Sequence, residues 1–176
     1  MTVIEFHSTR LQTVRASLFS PRMNFDQTLV EPLLADVAAG ESLDILLGKI
    51  VRAFNASAGT IHLVNSDGLL QLAAHSGIPQ GVLEKIGTIP VGKGIAGEAA
   101  ARRGPVQICN LQTDQSGVVR PGARATGAEG SVAVPMLAHG EVRGVLGVAK
   151  DVAYDWSEEE CEALMRIGSE MAGKNG

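Results

Sequence analysis

Residues 58–77 read AGTIHLVNSDGLLQLAAHSG, two runs of strand-forming residues meeting at Asp67-Gly68. That dipeptide supplies the positive φ angles of a tight hairpin turn. A second pair, SVAVPMLAHGEVRGVLGVAK over residues 131–150, turns at His139-Gly140. Two such hairpins require antiparallel pairing and exclude a sheet built from βαβ crossovers. A two-residue loop at Asp67-Gly68 sets Val64 opposite Gln71, His62 opposite Ala73 and Thr60 opposite His75. Alternation then puts Ile61, Leu63, Leu70, Leu72 and Ala74 on one face, and Thr60, His62, Val64, Gln71, Ala73 and His75 on the other. The first face needs a helix over it; the second is half polar.

Helices to cover that face flank the hairpins. Leu43, Leu46, Leu47, Ile50, Val51 and Phe54 recur at helical spacing. At the other end DWSEEECEALMRIGSEMAGK opens with a capping box, in which Ser157 caps the backbone and Glu160 reaches back. Cys161, Leu164, Met165, Gly168 and Met171 form its apolar side. A shorter helix is expected from Leu29 to Ala39, ended by Gly40, and residues 1–28 form an arm without sustained periodicity. After the first hairpin come a short amphipathic turn or helix (IPQGVLEKIG), a helix over about 97–103 and a strand over 105–111. The stretch 112–130 is a long glycine-rich loop with room for one helical turn.

With 176 residues, 45% of them hydrophobic, the chain has the size of one domain. A formal net charge of −4 removes the electrostatic footprint of a nucleic-acid binder. No apolar run is long enough to span a membrane. Cys109 and Cys161 are the only cysteines, without C-x-x-C spacing, which fits reduced thiols in a cytoplasmic protein.

Gly92, Gly94 and Gly97 in PVGKGIAGEA spell G-x-G-x-x-G ahead of a helix, and Asp114 follows a strand at about the distance of a ribose-binding acid. The feeding strand is missing: KIGTIPV carries Gly87 and Pro90, and proline removes a ladder donor. No second βαβ unit follows, and no G-K-[ST] sequence completes a P-loop. The glycines are therefore expected to serve backbone turning and close helix packing.

The order helix, IHLVNSDGLLQLAAHSG hairpin, IPVGKGIAGEAAARRGPVQICNLQTD, long loop, GSVAVPMLAHGEVRGVLGVAK and DWSEEECEAL helix resembles the GAF domain over about residues 40–174. The resemblance implies an α+β sandwich with a PAS-like fold: a central antiparallel sheet of five to six strands, with the first and last helices on one face. It also implies a small-molecule pocket, edged by loops and short helices, on the other. The domain is then residues 29–176 behind the arm, and the glycine turn launches a pocket-edging helix.

Pocket candidates follow from the mixed hairpin face and the long loop. His62, Gln71 and His75 share the mixed face, where a pair of imidazoles is able to ligate haem iron or another metal, but no third ligand has a recognisable spacing. Arg120 and Arg124 lie in the loop, near Thr126 and Ser131 in sequence, and a guanidinium fork suits carboxylates and other oxyanions. Solvated loop arginines are the bland account. Cys109 falls inside the expected strand as a small buried hydrophobe, or, with arginines near, as a thiol of lowered pKa that senses oxidants.

These features lead to the expectation of a non-enzymatic, stand-alone sensory module. It binds a small ligand, its cofactor is unknown, and it signals to a partner protein through the helices at 43–55 and 158–172. A homodimer through those helices is expected, with Gly168 permitting close approach. The enzymatic alternative resembles the free methionine-(R)-sulfoxide reductases, centred here on Cys109 without a resolving cysteine. The cysteine-histidine pair of bilin-binding members and the NKFDE motif of cyclic-nucleotide-binding members are absent from the sequence.

Overall fold

A computed structural model of the protein describes residues 25–174. Most of the expected arm lies outside the described residues. Its last part does not dangle, because Phe25 stacks on Phe54 with ring centroids 4.6 Å apart, ahead of a 3-10 turn at Gln27–Leu29.

The helices are α1 (Val30–Ala38), α2 (Leu43–Ala53), α3 (Gln80–Ile86), α4 (Gly94–Arg102), α5 (Pro121–Arg124) and α6 (Glu158–Lys174). The strands are β1 (Ala58–Val64), β2 (Leu70–Ser76), β3 (Thr88–Ile89), β4 (Val106–Ile108), β5 (Ser131–Ala138) and β6 (Glu141–Ala149). They form a six-stranded antiparallel sheet in the order β3-β2-β1-β6-β5-β4. The α+β sandwich expected from the sequence is thus present. No described helix is long and apolar enough to cross a membrane.

One face of the sheet is a packed core. Leu46, Leu47 and Ile50 of α2 and Leu164, Ile167 and Met171 of α6 meet Ile61, Val132, Val134, Met136, Leu146 and Val148 of the central strands. The capping box forms as written in the sequence: Glu160 N donates to Ser157 Oγ at 3.2 Å and Ser157 N to Glu160 Oε2 at 2.9 Å. Gly168 does bring α6 close to a neighbour, but that neighbour is β5, since a Cβ there would lie 3.3 Å from Met136 Cγ. The apolar stripe of α6 is therefore consumed within the chain. At the far edge the buried Lys150 donates to the Phe54 carbonyl at 2.8 Å with Tyr154 stacked 4.1 Å away, tying β6 to the end of α2.

The His139-Gly140 turn is the expected two-residue loop, with Ala138 paired to Glu141 and positive φ at both turn residues (51° and 79°). The Asp67-Gly68 turn is not. Val64 pairs with Leu70, so five residues connect the strands, because the Asn65 side chain accepts from both Asp67 N and Leu69 N at 3.0 Å. A register shift between Ile61 and His62 restores the pairing of Thr60 with His75. Between turn and shift the faces exchange: Leu70 and Leu72 oppose Val64 and His62, while Gln71 opposes Leu63 on the helix side.

Candidate functional site

The other face of the sheet is short of side-chain volume. Ala58 and Thr60 of β1 pair with Ala149 and Gly147 of β6, which pair in turn with Ser131 and Ala133 of β5. Their neighbours in sequence, the larger Ile61, Leu146, Val148, Val132 and Val134, all point into the helix-side core. Alternation of small and large residues along three adjacent strands leaves a cavity of about 440 Å³ over the small ones. That lies in the usual range of small-molecule sites. Ile86, Ile89, Ile95 and Leu111 close its sides, so most of the lining is apolar.

The glycine loop forms its rim. Gly94 opens α4 with φ +66°, and a Cβ at Gly97 would run into the Pro90 carbonyl. Gly92 N donates to Gly97 O at 2.8 Å and Lys93 N to Pro90 O at 3.1 Å, so these amides close the turn and are not displayed as a phosphate cradle. Helix α4 begins at Gly94, earlier than the expected start near 97, which brings Lys93, Gly94, Ile95 and Ala96 to the cavity. The strand before the loop is the two-residue antiparallel β3 at the sheet edge, and Asp114 Oδ2 caps its own turn through Ser116 N at 3.1 Å. Helix α4 follows the glycines, but the parallel feeding strand of a dinucleotide site does not precede them.

Of the residues singled out in the sequence, His62, Arg120, Thr126 and Ser131 line the cavity. His62 is 2% exposed, and its Nε2 lies 2.9 Å from the Ile86 carbonyl, which fixes that nitrogen as the protonated donor. Its Nδ1 is buried without a hydrogen-bond partner. Burial pulls the His62 pKa below its ordinary value, against the opposing pull of the Ile86 carbonyl, so the ring is neutral. Arg120 is the N-cap residue of α5 and packs by its Cγ against Gly94, where a Cβ would come within 3.1 Å. The Thr126 hydroxyl donates to the Ala123 carbonyl at 2.6 Å, holding the turn after α5.

Four other residues are off the lining. Gln71 is exposed and accepts from the Thr88 hydroxyl at 3.0 Å, a result of the face exchange in β2. His75 is exposed near the end of β2, away from the cavity, and no group of three or more His, Cys, Asp or Glu able to hold a metal occurs among the described residues. Arg124 Nη2 donates to the Asp114 carbonyl at 2.6 Å and so braces the loop. Cys109 lies beyond β4, which ends at Ile108, and is exposed in a separate depression with Asn110, Thr113 and Asp114. Its charged neighbour is Asp155, not an arginine: desolvation first, then hydrogen bonding and repulsion from Asp155, raise the thiol pKa. Cys161 is buried on α6, where burial first and then Glu160 and Glu158 push the thiol up to about 11.

Sequence reasoning missed Lys93 and the small-residue floor. The floor has a signal, the alternation in SVAVPM and GVLGVA; Lys93 has none until the helix start is known.

Among solved structures the fold is similar to the GAF domain of a phosphoenolpyruvate-protein phosphotransferase from Acinetobacter. The TM-score is 0.71 at 20% identity, over 86% of this chain and 92% of that one. The corresponding domain from Coxiella burnetii gives a TM-score of 0.72 at 19% identity, covering 84% and 90%. A free methionine-R-sulfoxide reductase from Neisseria meningitidis, solved with its substrate, gives 0.64 at 20% identity, covering 82% and 83%. No curated protein sequence matches the chain. Residues 39–173 match the GAF domain family, and the chain belongs to it.

Proposed function

We propose that this protein is a non-enzymatic sensory GAF module of the cytoplasm that binds a small molecule in the cavity over β1, β5 and β6. The observation that carries the reading is the separation of cavity from thiols. Neither Cys109 nor Cys161 is among the lining residues, and both have raised pKa values, so the cavity offers space and hydrogen bonds but no thiolate nucleophile. A reductase or oxidant sensor centred on Cys109 finds no support in that placement. The cavity and helices α2 and α6 lie on opposite sides of one sheet. A ligand seated on β1 and β6 therefore acts on α2 and α6 through the shared strands, and from there on a partner protein or a second copy.

Native mass spectrometry of the protein purified from its own cell extract tests the reading. A retained small molecule is expected in the wild-type protein and is expected to be lost in Ala149→Leu, whose side chain extends over Ala58 and Ser131. Turnover of free methionine-(R)-sulfoxide that disappears in Cys109→Ser would sink it.

A further inference from the structure

The charge distribution around the cavity points to the chemical class of its occupant, taking the ligand-binding reading above as its basis. Acidic residues outnumber basic ones in the whole chain, 19 to 15. The cavity inverts that balance. Lys93 and Arg120 are its charged lining residues, and neither Asp nor Glu lines it. The ion pairs of the described residues involve Lys49, Arg102 and Arg166, so Lys93 and Arg120, both exposed at the rim, have no carboxylate partner among the described residues. Both belong to the rim at the start of α4, where Lys93 is the N-cap residue and makes no side-chain cap. The first-turn amides of a helix have no intrahelical acceptor and carry partial positive charge, so the helix start and the two cations act in the same direction.

The floor supplies an independent mark of an occupant. His62 Nδ1 is a buried acceptor with no partner, on a residue that lines the cavity. A buried polar atom left unpaired is unfavourable, and a ligand donor that meets it removes that cost.

We infer that the ligand is an organic acid. Its anionic group sits at the rim between Lys93 and Arg120, its apolar body lies over the small-residue floor, and a donor on that body faces His62. Arg120 discriminates most, because its planar fork matches a carboxylate in two hydrogen bonds whereas Lys93 contributes a point charge.

The test is a titration of the full chain, at constant ionic strength, with 4-phenylbutyrate, its neutral amide and phenyl phosphate, followed by amide NMR shifts. The acid is expected to bind at least about fivefold more tightly than the amide, with shifts centred on Gly94–Ala96 and β1. Arg120→Gln and Lys93→Gln are each expected to erase part of that preference, and Arg120→Lys to retain some of it. Ala149→Leu is expected to abolish binding of both compounds. Phenyl phosphate binding in place of the acid supports an anionic ligand with a phosphoryl group as its charged end. Equal binding of acid and amide, lost in Ala149→Leu, overturns the charge assignment and leaves the cavity reading standing. Absence of binding by all three overturns both.

Discussion

The two faces of the central sheet are built from alternate residues of the same strands, yet they obey opposite rules. On the helix side β5 and β6 present large residues, Val132, Val134, Met136, Leu146 and Val148, with Gly144 the small one, paired with Met136. Their immediate neighbours, Ser131, Ala133, Gly147 and Ala149, are small and line the cavity. Stability is thereby concentrated on one face and binding space on the other. A sheet one residue thick separates them, which is the shortest path by which an occupied cavity can be felt by α2 and α6.

The largest expected effect belongs to the packed face. Leu47 is fully buried and packs closely on β1, since a Cβ at Gly59 would lie 2.9 Å from its Cδ1, so Leu47→Ala leaves a gap in the core. A loss of about 2–5 kcal/mol in urea unfolding is expected, with affinity for a cavity ligand unchanged in the folded fraction. A loss well under 1 kcal/mol would break the contrast between the faces.

Next comes the rim. Gly94→Ala forces a side chain into a left-handed backbone at φ +66° and against Arg120, costing roughly 1–2 kcal/mol. Thermal melts should show the loss, and the displaced Arg120 should weaken the preference for acids. Tight binding of NAD or ATP that vanishes in this variant would overturn the architectural reading of the glycines.

The smallest effect sharpens the comparison from the floor. An unfolded histidine binds its proton near 6.5, while the buried His62 resists protonation and shares its cavity with Lys93 and Arg120. Below pH 6.5 the unfolded chain therefore holds more protons than the folded one. The His62 contribution to stability is complete above that pH and falls as the solution is acidified, levelling off once the folded ring titrates. The slope is at most about 1.4 kcal/mol per pH unit. Comparing wild type with His62→Leu in urea at about pH 7 and about pH 5 isolates it. Parallel curves would mean that the ring is hydrated and the floor open.

Much of the fold is legible in local pattern. The apolar stripes of α2 and α6, the Ser157/Glu160 cap and the His139-Gly140 turn are decided by residues within a few positions of one another. The first hairpin is where that logic fails. Asp67-Gly68 carries a two-residue turn signal, but Asn65 captures the loop amides and widens it, and the register shift opposite Ala73 sets the faces right again only from Ala74 onward. Gln71 leaves the cavity face by that slip.

The sequence by itself determined the antiparallel sheet, the helices that cover one side and the structural use of the three glycines, because periodicity and turn chemistry are local. Tertiary structure alone decided which polar residues share the cavity. Arg120 and Lys93, far apart in the chain, meet only because α4 starts at Gly94 and α5 delivers its N-cap there. Cys109 and Arg124 are turned away by contacts with Asp155 and Asp114 that no spacing rule encodes. A cavity is a deficit of volume among strands distant in sequence, and such a deficit exists only once the strands are side by side.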